Sequence, residues 1–221
     1  MQTHVVITGA NRGIGLELCR YYQSCGAQTI AVCRSRSNEL EALKVQIIDD
    51  IDVSKAQDIV SLSEQLKGVS IDILINNAGI LSNQTLDDMD FQAISEQFEV
   101  NTLGPLRLVD ALLGHLHEGS KVALITSRMG SITDNTSGAY YGYRMSKAAL
   151  NAAGMSLAQD LRPRNIAVTI IHPGFVKTGM TGFAGDITPT EAARNISQRI
   201  EELDLTSTGV FLHSNGTVLP W

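Results

Sequence analysis

The sequence predicts one doubly wound α/β domain, a parallel seven-stranded sheet with helices on both faces. Three observations lead there. Short apolar, β-branched runs alternate with helical patterns along the chain. The runs lack the polar/apolar alternation of half-exposed strands and read as strands covered on both faces. No repeat, linker or low-complexity stretch interrupts the series, and 221 residues suit one domain at roughly 100–200 residues each. Repeated strand-then-helix order implies parallel strands joined by crossover helices.

Strands are expected at 5–8, 29–32, 45–48, 71–75, 121–125, 167–171 and 209–212. Helices are expected at about 13–25, 36–43, 54–67, 88–116, 142–162 and 189–203. Ile59, Leu62, Ser63 and Leu66 illustrate the helical face in the third of these. Composition narrows the partners. Seventeen basic against 23 acidic residues leave a net charge of −6, which argues against nucleic acid and against an anionic membrane surface. No run nears the ~20 apolar residues of a membrane span. Cys19, Cys25 and Cys33 are odd in number and form no CxxC pair, and no secretory signal is evident, so a reducing, cytoplasmic setting is expected. In a doubly wound sheet, ligands bind beyond the carboxyl ends of the strands, where strand order reverses. Functional residues should therefore stand just after a strand.

The first strand runs into Thr8-Gly9-Ala10-Asn11-Arg12-Gly13-Ile14-Gly15 and then into a helix. Gly9 permits a tight turn, while Gly13 and Gly15 clear side chains where a diphosphate meets backbone and where helix packs on sheet. Helix N-terminal N–H groups favour the phosphate. The spacing is G-x-x-x-G-x-G rather than G-x-G-x-x-G, and here the chain resembles the short-chain dehydrogenase/reductase family. That resemblance extends over nearly the whole chain. It implies a Rossmann fold and dinucleotide binding by Gly9, Asn11, Arg12, Gly13, Ile14 and Gly15.

The second strand ends in Cys33-Arg34, with no acidic residue before Glu39. An Asp or Glu here would grip the ribose hydroxyls of NAD; Arg34, helped by Arg12, can clasp a 2′-phosphate instead. NADP(H) is the expected cofactor, and basic residues at these two places resemble the NADP-preferring members. After the third strand comes Asp52-Val53, with Asp50-Ile51 as a competing alignment; the resemblance implies that this Asp bonds the adenine amine. After the fourth comes Asn76-Asn77-Ala78-Gly79, whose Asn77, Ala78 and Gly79 would line the cofactor groove by the same resemblance. Asn101, a polar amide in an apolar helical pattern, resembles the family's proton-relay asparagine; a helix kink or a bonded core amide is the alternative.

Ser127 follows the fifth strand, in a Ser-x-x-Gly setting that the family uses for its catalytic serine; Ser131 and Ser137 are nearby alternatives. Tyr143 and Lys147 lie four apart at the start of a helix, on one face. A phenol normally titrates near ~10, and a neighbouring ammonium is expected to lower that value and make Tyr143 a general acid or base. Tyr140 and Tyr141 lack a lysine at i+4. Sixteen positions separate Ser127 from Tyr143, a few more than is usual in the family, with the excess in the polar stretch 131–138. The sixth strand leads to His172-Pro173-Gly174-Phe175-Val176-Lys177-Thr178, which resembles the family's Pro-Gly-x-Val-x-Thr segment and implies cofactor contacts from Pro173, Gly174, Val176 and Thr178. No second His or Cys stands at ligand spacing to His172, so no metal is expected.

The run Tyr143-Arg144-x-Ser146-Lys147-Ala148-Ala149-Leu150-Asn151 is similar to a short subgroup containing C-signal-like proteins and sniffer-like carbonyl reductases. The resemblance implies a carbonyl reductase acting on a ketone or aldehyde with NADPH, and a homodimer or homotetramer. A nucleotide-binding signalling protein with incidental reductase activity is the rival, as is an alcohol or hydroxysteroid dehydrogenase working oxidatively. A short segment over the substrate, at about 179–200, is expected to be open and to move on Gly182 and Gly185.

Overall fold

The computed structural model describes residues 2–221. The strands are β1 (His4–Thr8), β2 (Gln28–Val32), β3 (Gln46–Ile48), β4 (Ile71–Asn76), β5 (Leu116–Ile125), β6 (Ala167–His172) and β7 (Phe211–His213). They form one sheet in the order β3-β2-β1-β4-β5-β6-β7, and every pairing is parallel. Strand order reverses between β1 and β4, which opens a crevice at their carboxyl ends. The helices are α1 (Gly13–Ser24), α2 (Asn38–Glu41), α3 (Ala56–Gln65), α4 (Phe91–Phe98), α5 (Gly104–Ala111), α6 (Tyr141–Leu161) and α7 (Pro189–Glu202).

Neighbouring residues of each strand point to opposite faces, and here both faces are dry. Val6, Leu74, Val122 and Val168 pack with Leu62 of α3, Leu108 of α5 and Leu150 of α6. Val5, Ile7, Ile75 and Ile171 pack with Leu18 and Tyr22 of α1 and with Ala193, Ile196 and Ile200 of α7. Burial on both sides is why the strands read as continuous apolar runs. Among the described residues, no helix is long and apolar enough to cross a membrane.

One expectation is corrected. The pattern at 88–116 is not one helix: α4 passes into a π turn at Glu99–Leu103, α5 stops at Ala111, and β5 begins at Leu116. Pro105 accounts for the break, since it has no N–H to donate to the carbonyl of Asn101 four residues back. In the stretch 179–200, the residues from Pro189 onward belong to α7, which packs on α1 as scaffold. What remains is a loop held by its own hydrogen bonds. Thr181 Oγ1 donates to Val176 O at 2.9 Å and Ala184 O at 2.7 Å, and Lys177 N donates to Ile187 O at 3.0 Å. A Cβ on Gly185 would stand 2.6 Å from Lys177 N, so this glycine permits close packing.

Candidate active site

The turn after β1 is held from across the crevice. Thr8 Oγ1 accepts from the N–H groups of Asn77 and Ala78, both at 3.1 Å. Asn77 Nδ2 donates to Thr8 O at 3.0 Å and to Gly9 O at 3.3 Å. The NNAG segment thus braces the glycine loop. Gly9 and Gly13 have φ of 65° and 55°, the left-handed region that favours glycine. A Cβ on Gly9 would lie 2.8 Å from Ala78 Cα, and one on Gly15 would strike Gly9 O. Gly13 faces Thr178, whose Cγ2 would be 3.3 Å from a Cβ there, so the loop after β6 closes one side of the cradle. Asn11 is fixed through its carbonyl, which accepts from Ser37 Oγ at 2.7 Å.

Arg12 and Arg34 are both exposed, and among the described residues neither forms an ion pair. Arg36 does, with Asp49, through two hydrogen bonds of 2.8 and 2.9 Å, which leaves Arg34 as the free guanidinium at the end of β2. Asp52 accepts from Ser54 N at 3.0 Å and Ser54 Oγ at 2.7 Å. Burial pushes its pKa up, but the Ser54 bonds and the nearby Arg34 outweigh burial and hold the carboxyl below its usual range. Ile51 is buried, and Asp50 takes a left-handed φ of 57°. The side chain of Val53 packs on Gly104, where a Cβ would meet Val53 O at 3.1 Å. A glycine cradle with two unpaired arginines beside it fits a dinucleotide bearing an additional phosphate.

Ser127, Tyr143 and Lys147 are brought together and buried at the end of β5. Ser127 Oγ accepts from Met129 N at 3.1 Å, capping the turn Arg128–Gly130. That turn lies directly on α6, since a Cβ on Gly130 would be 2.7 Å from the carbonyl carbon of Lys147. The competing serines are engaged elsewhere: Ser131 Oγ donates to Trp221 O at 3.1 Å, and Ser137 Oγ accepts from Arg144 Nη2 at 2.9 Å. Lys147 Nζ donates to Ile125 O at 2.9 Å and lies 5.8 Å from the centre of the Tyr143 ring.

In this site burial opposes the lowering expected of the tyrosine pKa. Burial pushes Tyr143 up to about 12, with the Ser127 hydroxyl pulling the other way. Burial also lowers Lys147 to about 8. Each charged form loses its water, and a lysine bonded to a carbonyl at this separation does not reverse that cost. The phenol therefore keeps its proton at neutral pH.

Asn101 sits in the π turn and is fully buried. Its Nδ2 donates to Ile80 O at 2.9 Å and to Ser146 Oγ at 3.1 Å, and its Oδ1 accepts from Ile80 N at 2.8 Å. This is a bonded core amide that clamps the segment after NNAG. Gly79 stands between it and Lys147: a Cβ there would be 3.2 Å from Asn101 Oδ1 and 3.7 Å from Lys147 Nζ. Past β6, Gly174 has φ of 99°, Pro173 O accepts from Ser214 Oγ at 2.9 Å, and Val176 is buried. His172 is edge-on to His213 at 4.9 Å; burial, His213 and Arg128 push its pKa down to about 3, so the ring is neutral. Among the described residues no group of His, Cys, Asp or Glu is placed to hold a metal. Sequence reasoning passed over Gln84, Gln97 and Gly142, which meet at the start of α6. The two amides belong to no motif, and only the adjacency of Gly142 to Tyr143 signalled a close approach.

The sequence pattern described as short chain dehydrogenase matches residues 3–200. The 1-hydroxy-2-glutathionyl-2-methyl-3-butene dehydrogenase of Rhodococcus sp. (strain AD45) is 38% identical, over 98% of this chain and 99% of its own. The C-signal protein of Myxococcus xanthus is 42% identical, over 68% of this chain and 93% of its own. Among solved structures, an NADPH-bound carbonyl reductase from chicken fatty liver superposes with a TM-score of 0.90 at 30% identity, covering all of both chains.

Proposed function

The chain belongs to the short chain dehydrogenase family of oxidoreductases, and from that premise we propose that it is an NADP(H)-dependent carbonyl reductase. The observation that carries this reading is the buried Ser127–Tyr143–Lys147 set at the end of β5, on the side of the sheet where the glycine loop opens. Arg12 and Arg34 would hold the 2′-phosphate, Asp52 the adenine amine, and Asn77, Ala78, Gly79, Pro173, Gly174, Val176 and Thr178 the walls of the groove. Bound NADPH supplies the hydride. Ser127 donates a hydrogen bond to the substrate oxygen and stabilises the negative charge that develops there. Tyr143, held protonated by its burial, gives its proton to the same oxygen. Lys147 supplies a positive charge beside the phenol and positions the ribose. Asn101 would connect Lys147 to solvent through water.

The test is NADPH oxidation against a panel of small ketones, aldehydes and quinones, for the chain and for Tyr143→Phe. Tyr143→Phe should abolish turnover and leave NADPH binding nearly intact. Turnover retained in that variant refutes the assignment. The Rhodococcus relative, named as a dehydrogenase, favours a second reading in which Tyr143 works in reverse as a base on an alcohol; NADP⁺ reduction by an alcohol panel separates the two. The likeness to C-signal keeps a signalling role open alongside catalysis, but a pure binder has no need of the intact Ser–Tyr–Lys set. We further propose that a second copy of this chain covers the outward face of α6, where Met145 and Met155 are exposed.

A further inference from the structure

α6 begins without a local cap. Its N-terminal residues Ala139 and Tyr140 are both left-handed, with φ of 54° and 53°, and no side chain of the flanking residues caps the helix. Two consecutive non-glycine residues in this region are strained, and such a conformation persists only where its surroundings over-determine it. The surroundings are supplied by Arg144, whose Nε donates to Gly138 O and Ala139 O, both at 3.2 Å, and by one residue from the loop after β4. Gln84 O accepts from Tyr140 N at 2.8 Å, and Gln84 Oε1 accepts from Gly142 N at 3.1 Å. The second of these satisfies a first-turn N–H that α6 cannot bond internally.

Gln84 is in turn fixed. Its Nε2 donates to Ser82 Oγ at 2.7 Å, and its Oε1 also accepts from Gln97 Nε2 at 3.4 Å. Gln97 Nε2 donates to Ala93 O at 3.2 Å, and Gln97 Oε1 accepts from Ser82 N at 3.0 Å. Backbone N–H groups only donate and backbone carbonyls only accept, so Gly142 N, Ser82 N and Ala93 O together dictate which way both amides face. The two side chains are almost wholly buried, Gln84 at 1% and Gln97 at 0% exposure, with their polar atoms paired. Gly142 completes the fit: a Cβ there would lie 2.9 Å from Ile94 Cα and would strike the Gln97 amide. The next residue is Tyr143.

We propose that Gln84, locked by Gln97, is a positioning residue that caps α6 from a distant loop and sets the depth and direction of Tyr143. The proposal rests on Tyr143 being the proton donor of the proposed reductase. Neither glutamine touches the reacting atoms; they act through the first turn of α6. A misplacement of about 1 Å at a reacting group can lower a rate on the order of a hundredfold. Loss of this cap should therefore appear in kcat more than in binding.

The experiment compares the full chain with Gln84→Met, Gln97→Met and Gln84→Glu, using a carbonyl that the unmodified chain reduces. Gln84→Met keeps the volume and removes the acceptor. Its kcat should fall about tenfold or more, with KM and NADPH affinity changed less than about twofold. Amide hydrogen exchange at Gly142 and Tyr140 should quicken selectively. Gln97→Met should give a smaller fall of the same kind. Gln84→Glu, which restores an acceptor facing Gly142 N, should recover most of the lost kcat. Unchanged kcat with full protection of Gly142 overturns the proposal. So does a parallel loss of kcat, KM and NADPH affinity without rescue, and so does failure of both methionine variants to fold, since each makes the pair a general folding element. The exchange measurement needs no turnover. If the unmodified chain reduces no carbonyl, the reductase reading fails, while the capping of α6 is still decided by Gly142.

Discussion

At the scale of single residues, burial sets the proton chemistry of the site. Tyr143 is pushed up to about 12 and Lys147 down to about 8. Both shifts disfavour charge, so at neutral pH the phenol is protonated and the ammonium mostly charged, the pair a reductase needs. Lys147 keeps its cation below about 8 and loses it as pH rises through that value. The kcat for carbonyl reduction should therefore decline above about pH 8, by roughly tenfold per pH unit once a single essential proton is lost. Lys147→Arg, whose guanidinium does not titrate in this range, should remove that limb even at a reduced rate. A limb that stays in place in the arginine variant means that another group controls it. That Ser127, Tyr143 and Lys147 would meet was legible in strand-end position and i,i+4 spacing, with the family resemblance selecting Ser127 over Ser131 and Ser137. The sign of the tyrosine shift was not, because it depends on how deeply α6 is buried, which no local pattern records. Arg34 is a different kind of residue, since its role rests on charge at the surface. With Arg36 neutralised by Asp49, Arg34→Asp should move the preference from NADPH toward NADH, read as the ratio of kcat/KM values. Equal efficiencies in the unmodified chain would sink the NADP assignment.

At the scale of elements, the site is assembled by close approaches that only glycine allows. Gly130 brings the turn after β5 onto the backbone of α6; a Cβ there would be 2.7 Å from the Lys147 carbonyl carbon and 2.9 Å from Ala148 N. Neither atom belongs to a flexible side chain, so the turn itself must move. Gly130→Ala should cost about 1–3 kcal/mol of stability through overpacking and should lower kcat by displacing Ser127. Gly114→Ala is the control. Nothing lies within 4 Å of a Cβ there and its φ is ordinary, so stability should be unchanged or slightly raised. Denaturant unfolding reads both, and equal effects would remove the close-packing argument. Helix α1 and its glycine loop were legible because their signal is local. The break between α4 and α5 was not: apolar spacing runs on through Phe98, Val100, Leu103 and Leu106. The decisive clues were Gly104, packed on Val53 O, and Pro105, which has no N–H for the Asn101 carbonyl.

At the scale of the whole molecule, the seven parallel strands place every candidate residue at one edge, and the charge there runs against the total. The chain carries −6 overall, yet Arg12, Arg34 and Lys147 gather around the crevice between β1 and β4. The opposite consideration applies to α6, whose inner face is spent on Leu150, Ala158 and Leu161 in the core. Its outer face presents Met145 and Met155, 48% and 42% exposed, and Leu103 beside the π turn is 37% exposed. Met145 and Met155 are ten residues apart, which at 3.6 residues per turn sets them about 80° apart around the helix. A helix whose apolar residues recur on both sides is normally covered on both. A second copy related by a two-fold axis would lay α6 against itself, as an isologous contact requires. Sedimentation velocity should accordingly find a dimer or tetramer at micromolar concentration. Met145→Lys should shift it to monomer with the circular dichroism unchanged, because that side chain is half exposed, whereas Met155 Sδ packs over Gly209. A chain that is already monomeric at that concentration would leave this face to solvent and overturn the self-association proposed for it.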